Sequence, residues 1–529
     1  MKIMCLKYSN LVASVSAFIA AVIPLAAADT PQGVAEHVIV VVWDGMRPDF
    51  ITPQYAPTLY RLACRGVFFK RHHPVYVSST EANGAAIATG VYPNRNGVLA
   101  NSEYRPQLEW LEPGATEGIE FIRRGDLLSH GHYLRVPTVA EILQRAGYPT
   151  VVAGTKPVVL LHDRSTQRST GSAAESVLLY AGHTLPRTKA ELLAKVNEDK
   201  KFPETKTFPN TAQDAWTTKA LTHGLWQKGV PKYSLLWLSD PDATQHDSGP
   251  GSPNALAAIE NCDRNLETVL KALDEKGILQ KSDVFVVSDH GFSTIQRGPN
   301  VAEILRKAGF VATKKFEDPQ SGDVMVVPLG GSVFFYVVDN VESVVRKLVE
   351  FLQTSDFAGV IFSRIRVEGT FPLDQVRAES ESGPDVVISM RWSADKNEFG
   401  TPGLLISEGG VKGKGQHVSL SRFDMRNTLV AAGPDFRQGF IDELPSGNID
   451  LAPTILHILG VPQLASSPMD GRVLQEALRD GRASTESPRT KTVEATRELA
   501  LFHWRQYLKF TEFAGAQYFD EGNGEPTPR

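Results

Sequence analysis

Unbroken apolar runs, each followed closely by an acidic residue, set the layout of this chain. His37-Val38-Ile39-Val40-Val41-Val42-Trp43 leads to Asp44, Tyr233-Ser234-Leu235-Leu236-Trp237-Leu238 to Asp240-Pro241-Asp242, and Val284-Phe285-Val286-Val287 to Asp289. Continuous rather than alternating apolarity predicts strands buried on both faces, as in a central parallel sheet. Between the last two runs, Leu256, Ile259, Leu266, Val269, Leu270 and Leu273 keep helical spacing over Asn254–Lys276, and Gly277 supplies the stop. Strand, helix and strand in that order predict an α/β fold with a doubly wound, mainly parallel central sheet.

A second pattern interrupts the first. Val333–Val338, Val341–Gln353 and Val360–Phe362 read as strand, helix and strand. We therefore expect a core over 29–330 and 401–478, with a smaller inserted α+β lobe over 331–400. The tail, 479–529, begins polar and is expected to close on a β-hairpin around Ala514-Gly515, flanked by Trp504, Tyr507, Phe510 and Tyr518.

At the other end, Lys2 and Lys7 precede an apolar stretch from Leu11 to Leu25, followed by Ala26-Ala27-Ala28. This is the pattern of a cleavable secretory signal over 1–28, implying export to the periplasm or the extracellular space. A membrane anchor fits less well, because Ser14, Ser16 and Pro24 interrupt a segment already short for a span. No later run reaches spanning length, so no stable membrane insertion is expected after cleavage. Cys5 leaves with the signal. Cys64 and Cys262 lie on helical patterns beside apolar residues and are expected to be buried free thiols, with a single disulfide as the alternative.

Composition narrows the function by exclusion. With 529 residues, 42% of them hydrophobic and 22% charged, the chain can bury an enzyme-sized core. Its net charge of −5 offers no basic footprint for a nucleic-acid polymer. A site for a small anionic ligand would have to create positive potential locally, from metal ions or helix ends.

The acidic residues after the three strands suggest such a site. Ligands bind beyond the carboxyl ends of the strands in an open parallel sheet, so Asp44, Asp242 and Asp289 are expected to converge. Unpaired, they would repel one another and be costly to bury; a divalent cation resolves the conflict. His246 follows Asp242 by four residues, His290 adjoins Asp289, and His417 lies beyond the loop Gly409-Gly410-Val411-Lys412-Gly413-Lys414-Gly415-Gln416. Mixed carboxylate and imidazole donors suit zinc and related first-row metals, and six such groups suffice for two ions. Any one of these residues alone would more often be structural. Ser78-Ser79-Thr80 precedes a short helix of small residues ended by Gly90, where a hydroxyl meets the positive end of the helix dipole. On composition alone, ordinary N-capping and catalysis remain equally open there.

The wider set of motifs resembles the type I phosphodiesterase/nucleotide pyrophosphatase family of the alkaline phosphatase superfamily. The resemblance rests on Asp44-Gly45, Pro74-Val75-Tyr76 leading to Thr80 and Asn83, Thr89-Gly90-Val91-Tyr92-Pro93, and Asn96-Gly97-Val98 with Asn101. It continues through Asp242 to His246, Asp289-His290-Gly291-Phe292, and His417 with Phe423-Asp424-Met425. Ala432-Gly433-Pro434 and Asp450-Leu451-Ala452-Pro453-Thr454 complete it. It implies that Asp242, His246 and His417 hold one divalent ion, and that Asp44, Asp289, His290 and the Thr80 oxygen hold another, most simply zinc. It also implies that Thr80 is the nucleophile and that Asn101 contacts a phosphoryl oxygen. Glu81-Ala82 replaces an aromatic-proline pair of that family, and Gly84 stands where a histidine is often found.

The expected reaction is hydrolysis of a small phosphodiester or nucleotide pyrophosphate through a phosphothreonine. Phosphate monoesterase and phosphonate hydrolase are the alternatives within the superfamily. A sulfatase would carry Cys/Ser-x-Pro-x-Arg, which Thr80-Glu81-Ala82-Asn83-Gly84 does not match. A non-catalytic phosphate-binding protein would tolerate gaps in a set that is complete here. Lys156 and Leu161-His162-Asp163-Arg164 supply further expected substrate contacts. In related phosphatases a Lys-Asp-Arg element grips the monoester dianion; His162 replaces that lysine, which tilts the expectation towards diesters. The alternative is a surface loop in which Lys156, His162 and Arg164 are merely solvated.

Overall fold

In the computed structural model, which describes residues 33–164, 171–482 and 484–529, the His37–Trp43 strand (β1) lies inside a nine-stranded sheet. The others are β2 (Val67–His73), β3 (Thr150–Gly154), β4 (Val177–Tyr180), β5 (His183–Leu185), β6 (Tyr233–Leu238), β7 (Ser282–Val287), β8 (Leu429–Ala432) and β9 (Phe440–Gly447). Their spatial order is β9-β2-β8-β7-β1-β6-β3-β4-β5. Strands β7, β1, β6, β3 and β4 form a continuous parallel run, with Val40 opposite Leu235 on one side and Phe285 on the other. The expected leader, 1–28, lies outside the described residues.

The apolar pattern of β1 explains its place. Val38, Val40 and Val42 pack into one core with Leu451, Ile455 and Ile458. Ile39, Val41 and Trp43 face a second core with Ile259, Leu266 and Leu273. Both faces are covered by helices, which is the doubly wound arrangement. Three helices matter for the site: α1 (Thr80–Thr89), α2 (Asp242–Ser248) and α3 (Pro253–Glu275). Ser252 caps α3 by accepting from Ala255 N–H, and Gly277 after it has φ +67°. Cys262 in α3 is buried and free, whereas Cys64, also free, is exposed. The expectation of a buried Cys64 fails because its helix, Pro57–Arg65, buries only Thr58 and Leu59.

The second sheet begins earlier than expected. Its six strands run from Ala312–Thr313 through Val386–Met390, with the helix Glu342–Gln353 packed against it. Val324–Pro328 pairs antiparallel with Ser332–Val337. Gly331 therefore lies inside a tight connection, where Gly330 takes φ +88°, and does not mark a boundary. The far boundary moves too: Trp392–Lys396 and Pro402–Ile406 join a small sheet with Ser293–Arg297 and Gly415–Gln416. The hairpin at Ala514-Gly515 is present, with both residues at positive φ (49° and 84°) as a two-residue turn requires. Its partner Arg489–Glu498 is a third strand, hidden in the sequence by its exposed polar residues. Among the described residues no helix is long and apolar enough to cross a membrane.

Candidate active site

Because β1, β6 and β7 are parallel neighbours in register, their carboxyl ends deliver Asp44, Asp242 and Asp289 to one edge. Asp242 opens α2, and His246 stands one turn later on the same helix. His290 follows Asp289, and His417 arrives on the far side of the glycine-rich loop. The six side chains fall into two groups, Asp242 with His246 and His417, and Asp44 with Asp289 and His290. Within each group the donor atoms lie within 4.8 Å of one another.

The orientation of each donor is fixed from outside. His246, His290 and His417 each donate Nδ1–H to a backbone carbonyl: Gly415 at 3.2 Å, Gly291 at 2.9 Å and Ser78 at 2.8 Å. All three Nε2 atoms therefore face the cluster. The carboxylates divide likewise. Asp44 Oδ2 accepts from Trp237 Nε1 (2.8 Å) and pairs with Lys156 Nζ (2.9 Å). Asp242 Oδ2 also accepts from Lys156 Nζ (3.1 Å), and Asp289 Oδ1 from Gly45 N–H (3.0 Å). The opposite oxygens, Asp44 Oδ1, Asp242 Oδ1 and Asp289 Oδ2, are buried without a hydrogen-bond partner.

Three inward carboxylate oxygens and three inward imidazole nitrogens make a donor set for cations. The charge balance agrees. Burial and Asp289 hold Asp44 well above the usual carboxylate range, against the pull of Lys156. Burial would push His290 down, yet Asp289, Asp44 and Asp242 raise it to about 9. Burial likewise works against the Lys156 ammonium, but Asp242 and Asp44 outweigh it. Burying an uncompensated ion costs several kcal/mol or about that order, so these residues fit metal ions.

Thr80 is the first residue of α1, every residue of which is buried. Its Oγ1 lies 3.3 Å from His290 Nε2. Ordinary capping is not what this hydroxyl cluster does: Ser79 holds the N-cap position, and its side chain makes no capping bond. Asn83 folds back instead, donating Nδ2–H to the Ser79 carbonyl (3.0 Å) and accepting from Val75 N–H (2.8 Å). Asn101 reaches the same helix end, where its Oδ1 accepts from Glu81 N–H at 3.3 Å. Gly84 permits close packing, since a Cβ there would meet Val158 Cγ2 at 2.6 Å.

Of the further substrate contacts expected from the sequence, only Lys156 reaches the cluster. His162 is buried, packs edge-on against Trp237 with ring centroids 5.5 Å apart, and has no hydrogen-bond partner on either nitrogen. Burial pushes it down to about 3. Arg164 is committed to Asp126, beneath the Tyr133 ring. The short helix Pro157–Leu161 leads His162 into the protein, and Arg164 beyond it is half-buried. Trp237 and Lys156 as partners of the inner carboxylates were not legible in the sequence. Trp237 reads there only as one apolar strand residue.

This sheet, with its paired donor groups at the strand ends, defines an alkaline phosphatase-like α/β protein. The chain belongs to the type I phosphodiesterase/nucleotide pyrophosphatase family, whose model matches residues 38–395. Venom phosphodiesterase of Macrovipera lebetinus is 22% identical over 276 residues, 51% of this chain and 27% of that protein. Human ectonucleotide pyrophosphatase/phosphodiesterase family member 5 is 21% identical over 283 residues, 52% of this chain and 49% of that one. The chain thus spans a quarter to a half of the length of these curated relatives. The solved structure of murine ectonucleotide pyrophosphatase/phosphodiesterase 5 superposes with a TM-score of 0.59 at 18% identity, covering 84% of this chain and 100% of that one. An inactive form of the murine protein, in complex with AMP, gives the same TM-score at 17% identity, covering 84% and 99%.

Proposed function

We propose that this protein is an exported hydrolase of small phosphodiesters or nucleotide pyrophosphates, acting through a covalent phosphothreonine at Thr80. The observation that carries this reading is the 3.3 Å approach of Thr80 Oγ1 to His290 Nε2 at the uncapped start of α1. Asp242, His246 and His417 would hold one divalent ion, and Asp44, Asp289, His290 and Thr80 Oγ1 the other, with zinc best matched to the nitrogen and oxygen donors. Such ions lower the pKa of a hydroxyl and neutralise charge on a departing oxygen.

The remaining steps belong to the chain. Thr80 Oγ1 attacks phosphorus in line, a P–Oγ1 bond forms, and the bond to the leaving oxygen breaks. Water then cleaves the P–Oγ1 bond and returns the hydroxyl. Asn101, through its amide N–H groups, and the positive end of the α1 dipole are set to hold the non-bridging oxygens. Lys156 supplies the fixed cation beside them.

Charge supports a diester or pyrophosphate over a monoester dianion. Lys156 is already balanced by Asp44 and Asp242, and Arg164 by Asp126. Glu81, buried next to Thr80, offers a carboxyl that burial and Glu117 hold well above the usual carboxylate range, and no second cation. We expect a higher kcat/KM for an aryl phosphodiester than for the matching monoester at neutral pH, and loss of both activities on chelation. A tenfold preference for the monoester, about 1.4 kcal/mol of discrimination, would contradict the substrate class. Full activity after complete metal removal would contradict the reaction.

A further inference from the structure

Behind the site lies a buried side-chain network that the mechanism above does not use. Its hub is Asn448, in the 3₁₀ turn Asn448–Asp450 that follows β9. Both of its amide hydrogens are engaged: Nδ2 donates to the Asp289 carbonyl at 2.7 Å and to Asn83 Oδ1 at 2.9 Å. Its oxygen is engaged as well, accepting from His72 Nε2 (3.0 Å) and Asn427 Nδ2 (3.1 Å). His72, pushed down to about 3 by burial, stays neutral, and its Nδ1 accepts from Ser446 Oγ at 2.9 Å. Asn427 donates also to the Ser288 carbonyl.

The turn carrying Asn448 is itself anchored. Asp450 accepts from Gly447 N–H, Arg472 N–H and Tyr518 Oη, at 2.8, 2.8 and 2.9 Å. A fully satisfied buried amide on an anchored turn has one orientation available to it, because any rotation leaves polar groups unpaired. Two chain segments depend on that orientation. One is the end of β7, which presents Asp289 and His290. The other is Asn83, whose own amide holds the Ser79 carbonyl one residue before Thr80. The route from Asp289 to Thr80 thus runs through two asparagine side chains, one of which meets Asp289 only at its backbone carbonyl.

We propose that Asn448 is a positioning residue that fixes the Thr80 hydroxyl against the Asp289–His290 segment, in partnership with Asn83. The proposal rests on Thr80 being the nucleophile. Asn448 has no direct part in binding substrate. Its loss leaves substrate affinity in place and lets Thr80 drift from the in-line position, where a displacement of about 1 Å lowers the rate about 100-fold.

Asn448→Ala and Asn83→Ala, singly and together, test this in the metal-loaded enzyme with an aryl phosphodiester. Asn448→Ala should lower kcat about 100-fold, with KM and metal content per chain at wild-type values. The double variant should be no worse than the poorer single variant, because both cut one link. Asn448→Asp keeps the acceptor for His72 and Asn427 and removes both donors, so it carries the same test should the alanine variant not fold. Wild-type kcat in a folded Asn448 variant, multiplicative losses in the double variant, or loss of metal in step with kcat would each overturn the proposal. Thr80→Ala measured alongside separates the two claims. Retained activity there removes the nucleophile itself, whereas an inactive Thr80→Ala beside near-normal Asn448 variants removes only the positioning role.

Discussion

Lys156 Nζ lies 2.9 Å from Asp44 Oδ2, and the same ammonium reaches Asp242, so one cation joins a carboxylate from each donor group. It binds the outer oxygens and leaves the inner ones facing the imidazole nitrogens. That arrangement orients the two groups relative to each other while offsetting part of their negative charge. Lys156→Met should therefore weaken metal retention in a chelator competition assay and lower kcat/KM, each by about 10- to 100-fold. Unchanged metal retention would confine Lys156 to substrate binding.

Thr80 and Ser79 are adjacent buried hydroxyls with different surroundings. Thr80 approaches His290, while Ser79 Oγ has no hydrogen-bond partner. Thr80→Ala should lower kcat/KM for the diester by about 10³-fold or more, about 4 kcal/mol of transition-state stabilisation. The fold and the metal content should survive. Ser79→Ala should stay within about fivefold of wild type, since it removes no bond. An inactive Ser79→Ala beside an active Thr80→Ala would reverse the assignment.

Far from the site, Asp283 meets Asp435, whose carboxylate anchors Val34 N–H at 2.6 Å and Ala35 N–H at 2.8 Å. Burial and Asp435 raise Asp283 from 3.8 to about 9. A raised carboxyl contributes stability that is fully present below its unfolded pKa and is lost as pH rises through the folded value. The window here runs from about pH 4 to about pH 9. Asp283→Asn holds a permanent N–H towards Asp435 and cannot ionise. The difference in Tm, variant minus wild type, should grow steadily between pH 5 and pH 9; a constant difference would contradict a protonated Asp283.

Much of this was legible in the sequence because the informative features are local and strong. An unbroken run such as Val38–Trp43 has few structural homes, and an acidic residue at its end has a defined edge to occupy. The two donor groups assembled with the membership expected from the sequence. What escaped notice depended on contacts distant along the chain. Trp237 and Asp44 are 193 residues apart, and Asn448 and Asn83 are 365 apart. Neither pairing leaves a periodic trace. His162 and Arg164 differ for another reason: a resemblance to a Lys-Asp-Arg element suggests substrate contacts, whereas His162 packs against Trp237 and Arg164 pairs with Asp126. The strand Arg489–Glu498 was hidden because an exposed edge strand carries no apolar run.

The central claim is covalent catalysis by Thr80, and the stereochemical course at phosphorus tests it most directly. Two successive in-line displacements, the first by Thr80 Oγ1 and the second by water, each invert the centre. Hydrolysis of a diester made chiral at phosphorus with isotopic or sulfur labels should therefore proceed with net retention of configuration. Net inversion would show that water attacks the substrate directly, and would contradict Thr80 as the nucleophile.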